Sequence, residues 1–277
     1  MTKFHFIAGL PRSGSTLLAA ILRQNPAITA SISSPVGGIF SAMQKAISRG
    51  NEGAGFISNE YRQYLLWTIF HGFYSEYAGT REFAFDTNRM WPSKLPTLVK
   101  LFPDCRIICC VRQVAWIMDS IERLVRRNAF ELSGIFNFEP NSTVYSRCAA
   151  LGASNGLVGF AADALKEGLY GEHENRILIV PYQSLCKNTA GVMAGIHEWC
   201  GIPPFDYDFE HIEQIPGAAE FDARLGTPGL HAVRDRVDWV ERKTILPPEL
   251  FNSFPQPFWP TGIAAVEETP QREAFVA

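Results

Sequence analysis

The chain is 277 residues long, with 47% hydrophobic and 19% charged residues, which excludes a disordered or fibrous protein and suits one α/β unit with insertions. A net charge of −3 leaves no bulk attraction to nucleic acid or to an anionic membrane, so any anion site has to be built locally. Cys105, Cys109, Cys110, Cys148, Cys186 and Cys200 form no CxxC pair and read as reduced structural thiols.

Residues 1–18 lack the continuous apolar run of a signal peptide, and no stretch reaches the roughly 18 apolar residues of a bilayer span. The expectation is a cytoplasmic protein with no membrane span and no nucleic-acid partner. Residues 3–8 are a short apolar run broken by Gly9, as in a first buried strand. Helical spacing follows at Thr16, Leu17, Ala20 and Ile21 and stops near Pro26, which cannot continue a helix. Residues 28–33 read as a second strand, 37–48 and 59–77 as helices around a glycine-rich loop, and 82–86 as a third strand.

Residues 92–102 read as a helix. The run CRIICCV at 105–111 is nearly all apolar, the pattern of a central parallel strand buried on both faces. Residues 113–127 and 144–169 carry helical spacing, 176–180 form another strand and 191–200 another helix. Strands alternating with helices predict a P-loop-type, doubly wound, mostly parallel sheet with helices on both faces and ligands at the carboxyl ends of the strands. Residues 1–260 are expected to form a single domain, with a long loop after Gly201 closing over the site and a loosely ordered tail over 261–277.

Gly9-Leu-Pro-Arg12-Ser13-Gly14-Ser15-Thr16 has the spacing of a Walker A loop, in which backbone N–H groups and a helix N-terminus meet a phosphate. Ser15 stands where a nucleoside triphosphatase carries lysine, and the loop's cation is Arg12. No strand ends in an acidic pair suited to Mg²⁺, so transfer without a metal is favoured over Mg·ATP chemistry. The same segment also fits a plain strand-to-helix turn with Arg12 in solvent.

The PRSGST loop, followed by VRQVAWIMDS with Arg112 and Ser120 eight residues apart, resembles the two signature regions of sulfotransferases that use 3′-phosphoadenosine 5′-phosphosulfate (PAPS). The likeness is greatest to the tyrosylprotein and related bacterial branch. It implies that residues 12–16 wrap the 5′-phosphosulfate, and that Arg112 and Ser120 hold the 3′-phosphate. Eight residues are close to two helical turns, so both side chains can face one anion. The resemblance also brings Tyr182, after the strand ending at Val180, near the nucleotide, and puts His231 and Arg234 in the loop that covers the donor.

The tyrosylprotein enzymes carry a glutamate base shortly after the second strand, whereas residues 30–38 contain no acid. Asp86, at the end of the third strand, is the leading candidate base, because the resemblance implies that this is the region where cytosolic sulfotransferases carry a catalytic histidine and the tyrosylprotein branch a lysine. A turn cap or a pair with Arg89 is its bland alternative, and His231 is the runner-up. Arg12 is assigned to neutralising charge on the leaving oxygen. The acceptor is a hydroxyl on a carbohydrate, lipid, small metabolite or tyrosine. The alternatives are a small-molecule kinase using Mg·ATP and a nucleotide-binding module without catalysis.

Overall fold

The computed structural model describes residues 2–78 and 81–259, and the tail expected over 261–277 falls outside them. Five parallel strands form one sheet: β1 (Lys3–Gly9), β2 (Ile28–Ala30), β3 (Phe83–Thr87), β4 (Ile107–Val111) and β5 (Ile177–Pro181), in the order β2-β3-β1-β4-β5. The chain winds outward from β1 to β2, returns to β3, then crosses to β4 and β5 on the other side. The direction of winding therefore reverses between β1 and β4, and that reversal opens a crevice at their C-terminal ends.

Helices cover both faces, which is why β4 is apolar at every position and buried throughout. Side-chain alternation along the strands divides the core in two. Phe6, Ala8 and Cys109 face a cluster with Phe40, Phe70 and Trp91, while Ile7 and Cys110 face a cluster with Leu18, Ile21 and Ile196. All six cysteines are free and buried, and burial pushes the Cys105, Cys110 and Cys200 thiols up to about 12.

Around the sheet lie α1 (Ser15–Leu22), α2 (Val36–Ala46), α3 (Asn59–Ala78), α4 (Leu95–Leu101) and α5 (Val114–Arg127). The aromatic-rich α3 sends Phe70 and Tyr74 into the core and leaves Tyr61 and Tyr64 exposed. The helix expected over 92–102 begins as a 3-10 turn, Trp91–Lys94, before α4, in keeping with two prolines that each lack an N–H.

The helix expected over 144–169 is two, α6 (Val144–Gly152) and α7 (Leu157–Leu169). They are parted at Gly156, where a Cβ would lie 2.0 Å from the Ala150 carbonyl oxygen. By length and composition residues 144–169 are apolar enough to cross a membrane, with mean hydropathy 1.3, which corrects the expectation that no stretch qualifies. Val158, Ala161 and Leu165 on α7 pack into the core.

The turn expected after β5 is a helix, α8 (Tyr182–Lys187), followed by α9 (Thr189–Cys200). Beyond Gly201 the backbone is mostly irregular, interrupted by α10 (Ala218–Arg224) and α11 (Pro248–Asn252), and its 230–242 stretch lies over the crevice.

Candidate functional site

The loop after β1 takes its shape from backbone conformations that few residues adopt. Gly9 has φ +99°, and a Cβ there would lie 2.1 Å from the Cys110 carbonyl oxygen, so β1 and β4 approach this closely only at glycine. Gly14 has φ +96° and leaves room for the Tyr182 ring, which a Cβ would meet at 2.9 Å. Arg12 itself sits in the left-handed region at φ +57°. The Ser13 hydroxyl donates back to the carbonyls of Leu10 and Pro11, so it braces the loop from inside and does not line the cleft. No side chain caps α1, which leaves its first-turn N–H groups to the cleft lined by Gly14, Ser15, Thr16 and Leu17.

Arg12 joins the two sequence motifs. Its Nε donates to Ser120 Oγ at 3.2 Å, and its guanidinium also donates to the Leu230 carbonyl. Arg112 reaches the Arg12 carbonyl at 3.5 Å and lies over the Tyr182 ring, 4.6 Å from its centroid. Arg234 and His231 line the same cleft.

Charge is the most unusual property of this cleft. Six arginines line it, Arg12, Arg89, Arg112, Arg234, Arg236 and Arg242, against one acid, Asp238, in a chain whose net charge is −3. Among the described residues, Arg12, Arg89, Arg112 and Arg234 make no ion pair. Burial, and the nearby Arg112 charge, hold the Arg12 guanidinium down to about 10, and burial alone does the same to Arg89. Both stay cationic at neutral pH. Half-buried cations without carboxylate partners are costly unless an anion joins them.

Asp119, fully buried on α5, ties the late segment down. Its Oδ1 accepts from Thr244 Oγ1 at 3.0 Å and from the Ile245 N–H at 2.8 Å, and its Oδ2 from Arg123 Nε at 2.9 Å. Arg242 lies 3.2 Å from Asp119 but off hydrogen-bond geometry, and its buried Nε and terminal nitrogen find no acceptor in the protein. Arg242 thus stands between the Asp119 carboxylate and the cleft that it lines.

Asp86 needs correcting. The structure places it away from the cleft, fully buried, with Oδ1 accepting from Trp91 Nε1 at 2.8 Å and Oδ2 from Tyr74 Oη at 2.8 Å and from Ser34 Oγ. It pairs in register with Phe6, inside the sheet, and burial raises its carboxyl pKa. The residue three positions on, Arg89, is the one that reaches the cleft.

His231 stands differently. Its Nδ1 lies 2.5 Å from Asp222 Oδ1, and its backbone N–H donates to Asp222 Oδ2 at 2.7 Å. Asp222 is buried, so the pair fixes the ring with Nδ1–H toward the carboxylate and leaves Nε2 as the acceptor. Burial lowers the His231 pKa in spite of the Asp222 carboxylate, which keeps the ring neutral at neutral pH.

His231, Arg89, Ser15 and Leu230 also line a second chamber of about 260 Å³ adjoining the first, walled mainly by Ile7, Leu10, Ile32, Ile135, Leu157 and Leu225. A cationic cleft and an apolar chamber thus share one wall. Among the described residues no group of three or more His, Cys, Asp or Glu side chains is arranged to hold a metal ion.

A model of the sulfotransferase family matches residues 5–207. The chain belongs to the sulfotransferase family. Family membership supports sulfotransfer as its activity. The match includes Arg12, Arg89, Arg112 and Ser120, while Asp222, His231 and Arg242 lie beyond it. Among solved structures the chain is similar to the sulfotransferase domain from the curacin biosynthetic pathway, at 16% identity over 74% of this chain and 76% of that one, with a TM-score of 0.48. It is also similar to a sulfotransferase from Alicyclobacillus acidocaldarius, at 16% over 81% and 91%, TM-score 0.48. A third is the sulfotransferase domain from the Synechococcus PCC 7002 olefin synthase, at 17% over 74% and 75%, TM-score 0.45. None of these likenesses bears on the substrates of this chain. No curated protein matches it.

The sequence pointed to Arg12, Arg112 and Ser120 and passed over Arg89, Asp119, Asp222 and Arg242. Asp119 adjoins Ser120, and Arg89 follows the third strand, so their positions carried a signal. Asp222 lies on the short helix α10, and its pairing with His231 in the irregular stretch beyond is one that no periodicity reveals.

Proposed function

We propose that this family member is a PAPS-dependent sulfotransferase in which His231 is the general base, Asp222 positions it, and Arg12 and Arg89 stabilise charge. The observation that carries the reading is the shared wall: Ser15, Arg89, Leu230 and His231 border both the arginine-lined cleft and the apolar chamber. A donor with several anionic groups fits one side and an uncharged acceptor the other.

The residues fit the donor by charge and by free donors. The first-turn N–H groups of α1 with Ser15 and Thr16 suit the 5′-phosphosulfate, and Arg112 with Ser120 suits the 3′-phosphate. Arg112 is held in place by stacking on Tyr182, so little side-chain freedom remains to be lost on binding. Arg234 and Arg242, carried on the segment that Asp119 ties down, close the cationic wall.

His231 Nε2 takes the proton of the acceptor hydroxyl, because Asp222 occupies Nδ1–H and stabilises the imidazolium that forms. Arg12 and Arg89 neutralise charge on the leaving oxygen without changing protonation state. PAPS supplies the sulfuryl group: the acceptor oxygen bonds to sulfur, the bond from sulfur to the 5′-phosphate oxygen breaks, and its electron pair stays on that phosphate.

Calorimetric titration with adenosine 3′,5′-bisphosphate (PAP), the desulfated product, tests the donor. Tight binding to PAP with adenosine 5′-monophosphate and Mg·ATP far weaker is expected. Preference for Mg·ATP would overturn the reading in favour of a kinase.

A further inference from the structure

The chamber on the far side of His231 bears on what is sulfated. Its walls are aliphatic, and the one aromatic among them, Phe221, sets its ring edge-on to His231 with centroids 5.5 Å apart. Few polar groups are present, and two of them already have partners. The Thr87 hydroxyl donates to the Ser31 carbonyl at 2.6 Å, and Asn88 Oδ1 accepts from the Met90 N–H at 3.0 Å. The Asn88 amide nitrogen is packed against Gly37, where a Cβ would meet it at 2.3 Å. Ser33 and Ser15 are the other hydroxyls on the wall, and Ser15 lies on the side shared with the cationic cleft.

A sugar ring brings several hydroxyls, and each one buried without a partner weakens binding by about tenfold or more. The chamber has no acidic side chain, so an ammonium-bearing acceptor finds only Arg89 and His231 there. An apolar body finds Ile135 and Leu157, which also line an outer cleft together with Phe136 and the 44% exposed Phe160, where Asn137, Glu139 and Asn155 supply a polar rim.

On the strength of the donor reading above, we propose that the acceptor is a neutral alcohol borne on an extended apolar body, bound hydroxyl first beneath His231 with its body along Ile135 and Leu157. Its oxygen bonds to the sulfuryl sulfur, its proton passes to His231 Nε2, and a sulfate monoester leaves with PAP as the other product. Each buried methylene then strengthens binding about threefold until the chamber is filled.

The test uses the full chain with saturating radiolabelled PAPS and the straight-chain alcohols from hexanol to dodecanol, against methyl glucoside and a tyrosine amide, with PAP affinity measured in parallel. The expected result is kcat/KM rising about threefold per methylene, with glucoside and tyrosine at least about a hundredfold below the best alcohol. Leu157→Glu should cut alcohol turnover at least about tenfold with PAP affinity unchanged, and Ile135→Asn serves should that variant fail to fold. Normal PAP binding with a flat alcohol series, with glucoside or tyrosine preferred, or with no alcohol bound or sulfated overturns this inference alone. Failure to bind PAP overturns the donor reading and this inference with it.

Discussion

Asp222→Asn isolates the role assigned to the histidine. In the wild type both carboxylate oxygens accept, Oδ1 from His231 Nδ1 at 2.5 Å and Oδ2 from the His231 backbone N–H at 2.7 Å. An amide of the same size has one oxygen and one NH₂. If the oxygen keeps the backbone N–H, the NH₂ faces Nδ1, which must then accept. The ring proton moves to Nε2, and the nitrogen facing the chamber can no longer take a proton. A positioned base contributes about 10²- to 10⁴-fold, so kcat should fall by about 10²- to 10³-fold while PAP affinity stays within about twofold. Asp222 also raises the His231 pKa, in opposition to the larger effect of burial. The wild-type acid limb should therefore lie below the ordinary imidazole value of about 6.5, and the variant's limb lower still. The assay is radiolabel transfer from PAPS to a neutral alcohol, profiled from about pH 5 to about pH 9, with folding checked by thermal melting. A variant with kcat within about threefold of wild type and an unmoved acid limb would refute the reasoning.

Three substitutions probe the framework. Asp119→Asn should cost about 2–3 kcal/mol, less than a fully buried pair because Arg123 and Arg242 are partly exposed, and should weaken PAP binding by loosening the segment that carries Arg242. Burial opposes ionisation of Asp119, but its hydrogen bonds and Arg242 bring its pKa below the ordinary carboxylate value. Its stabilisation is thus complete above about pH 4 and fades as pH falls toward the folded-state pKa, so paired melts of wild type and variant should converge in acid. Gly9→Ala meets both the Cys110 carbonyl and a φ of +99°, and a loss of about 3 kcal/mol or more in chemical denaturation is expected. Asp86→Asn turns an amide NH₂ toward one of its donors, from Trp91, Tyr74 or Ser34, and should lower stability by about 2 kcal/mol with kcat preserved. Loss of kcat in a variant that still folds would return Asp86 to the chemistry.

The sheet was legible because β1 and β4 are buried on both faces and therefore read as unbroken apolar runs, and because glycine and proline mark the turns between elements. Helix breaks were harder to see. Residues 144–169 keep helical spacing across Ser154 and Asn155, and only the close approach of Gly156 to the Ala150 carbonyl parts them. Within the site, the phosphate loop and the Arg112–Ser120 spacing are local patterns, fixed by a strand, a tight turn and two helical turns. Asp86 is a lesson in burial on both faces: through residue 86 a β3 side chain of either parity enters the core, and only residues past the strand's end, Arg89 among them, reach the cleft. The pairing of Asp222 with His231 depends on how an irregular segment folds over the sheet, which tertiary packing sets and local sequence does not.

The central claim, that Arg112 reads the 3′-phosphate of a PAPS donor, is tested most directly by a two-by-two titration of wild type and Arg112→Ala with PAP and adenosine 5′-monophosphate. A charge-assisted contact from a guanidinium without a carboxylate partner is worth about 1.5–3 kcal/mol, so the variant should lose about 10- to 150-fold toward PAP and little toward the monophosphate. Equal losses toward both ligands, or a wild type indifferent to the 3′-phosphate, would contradict the account.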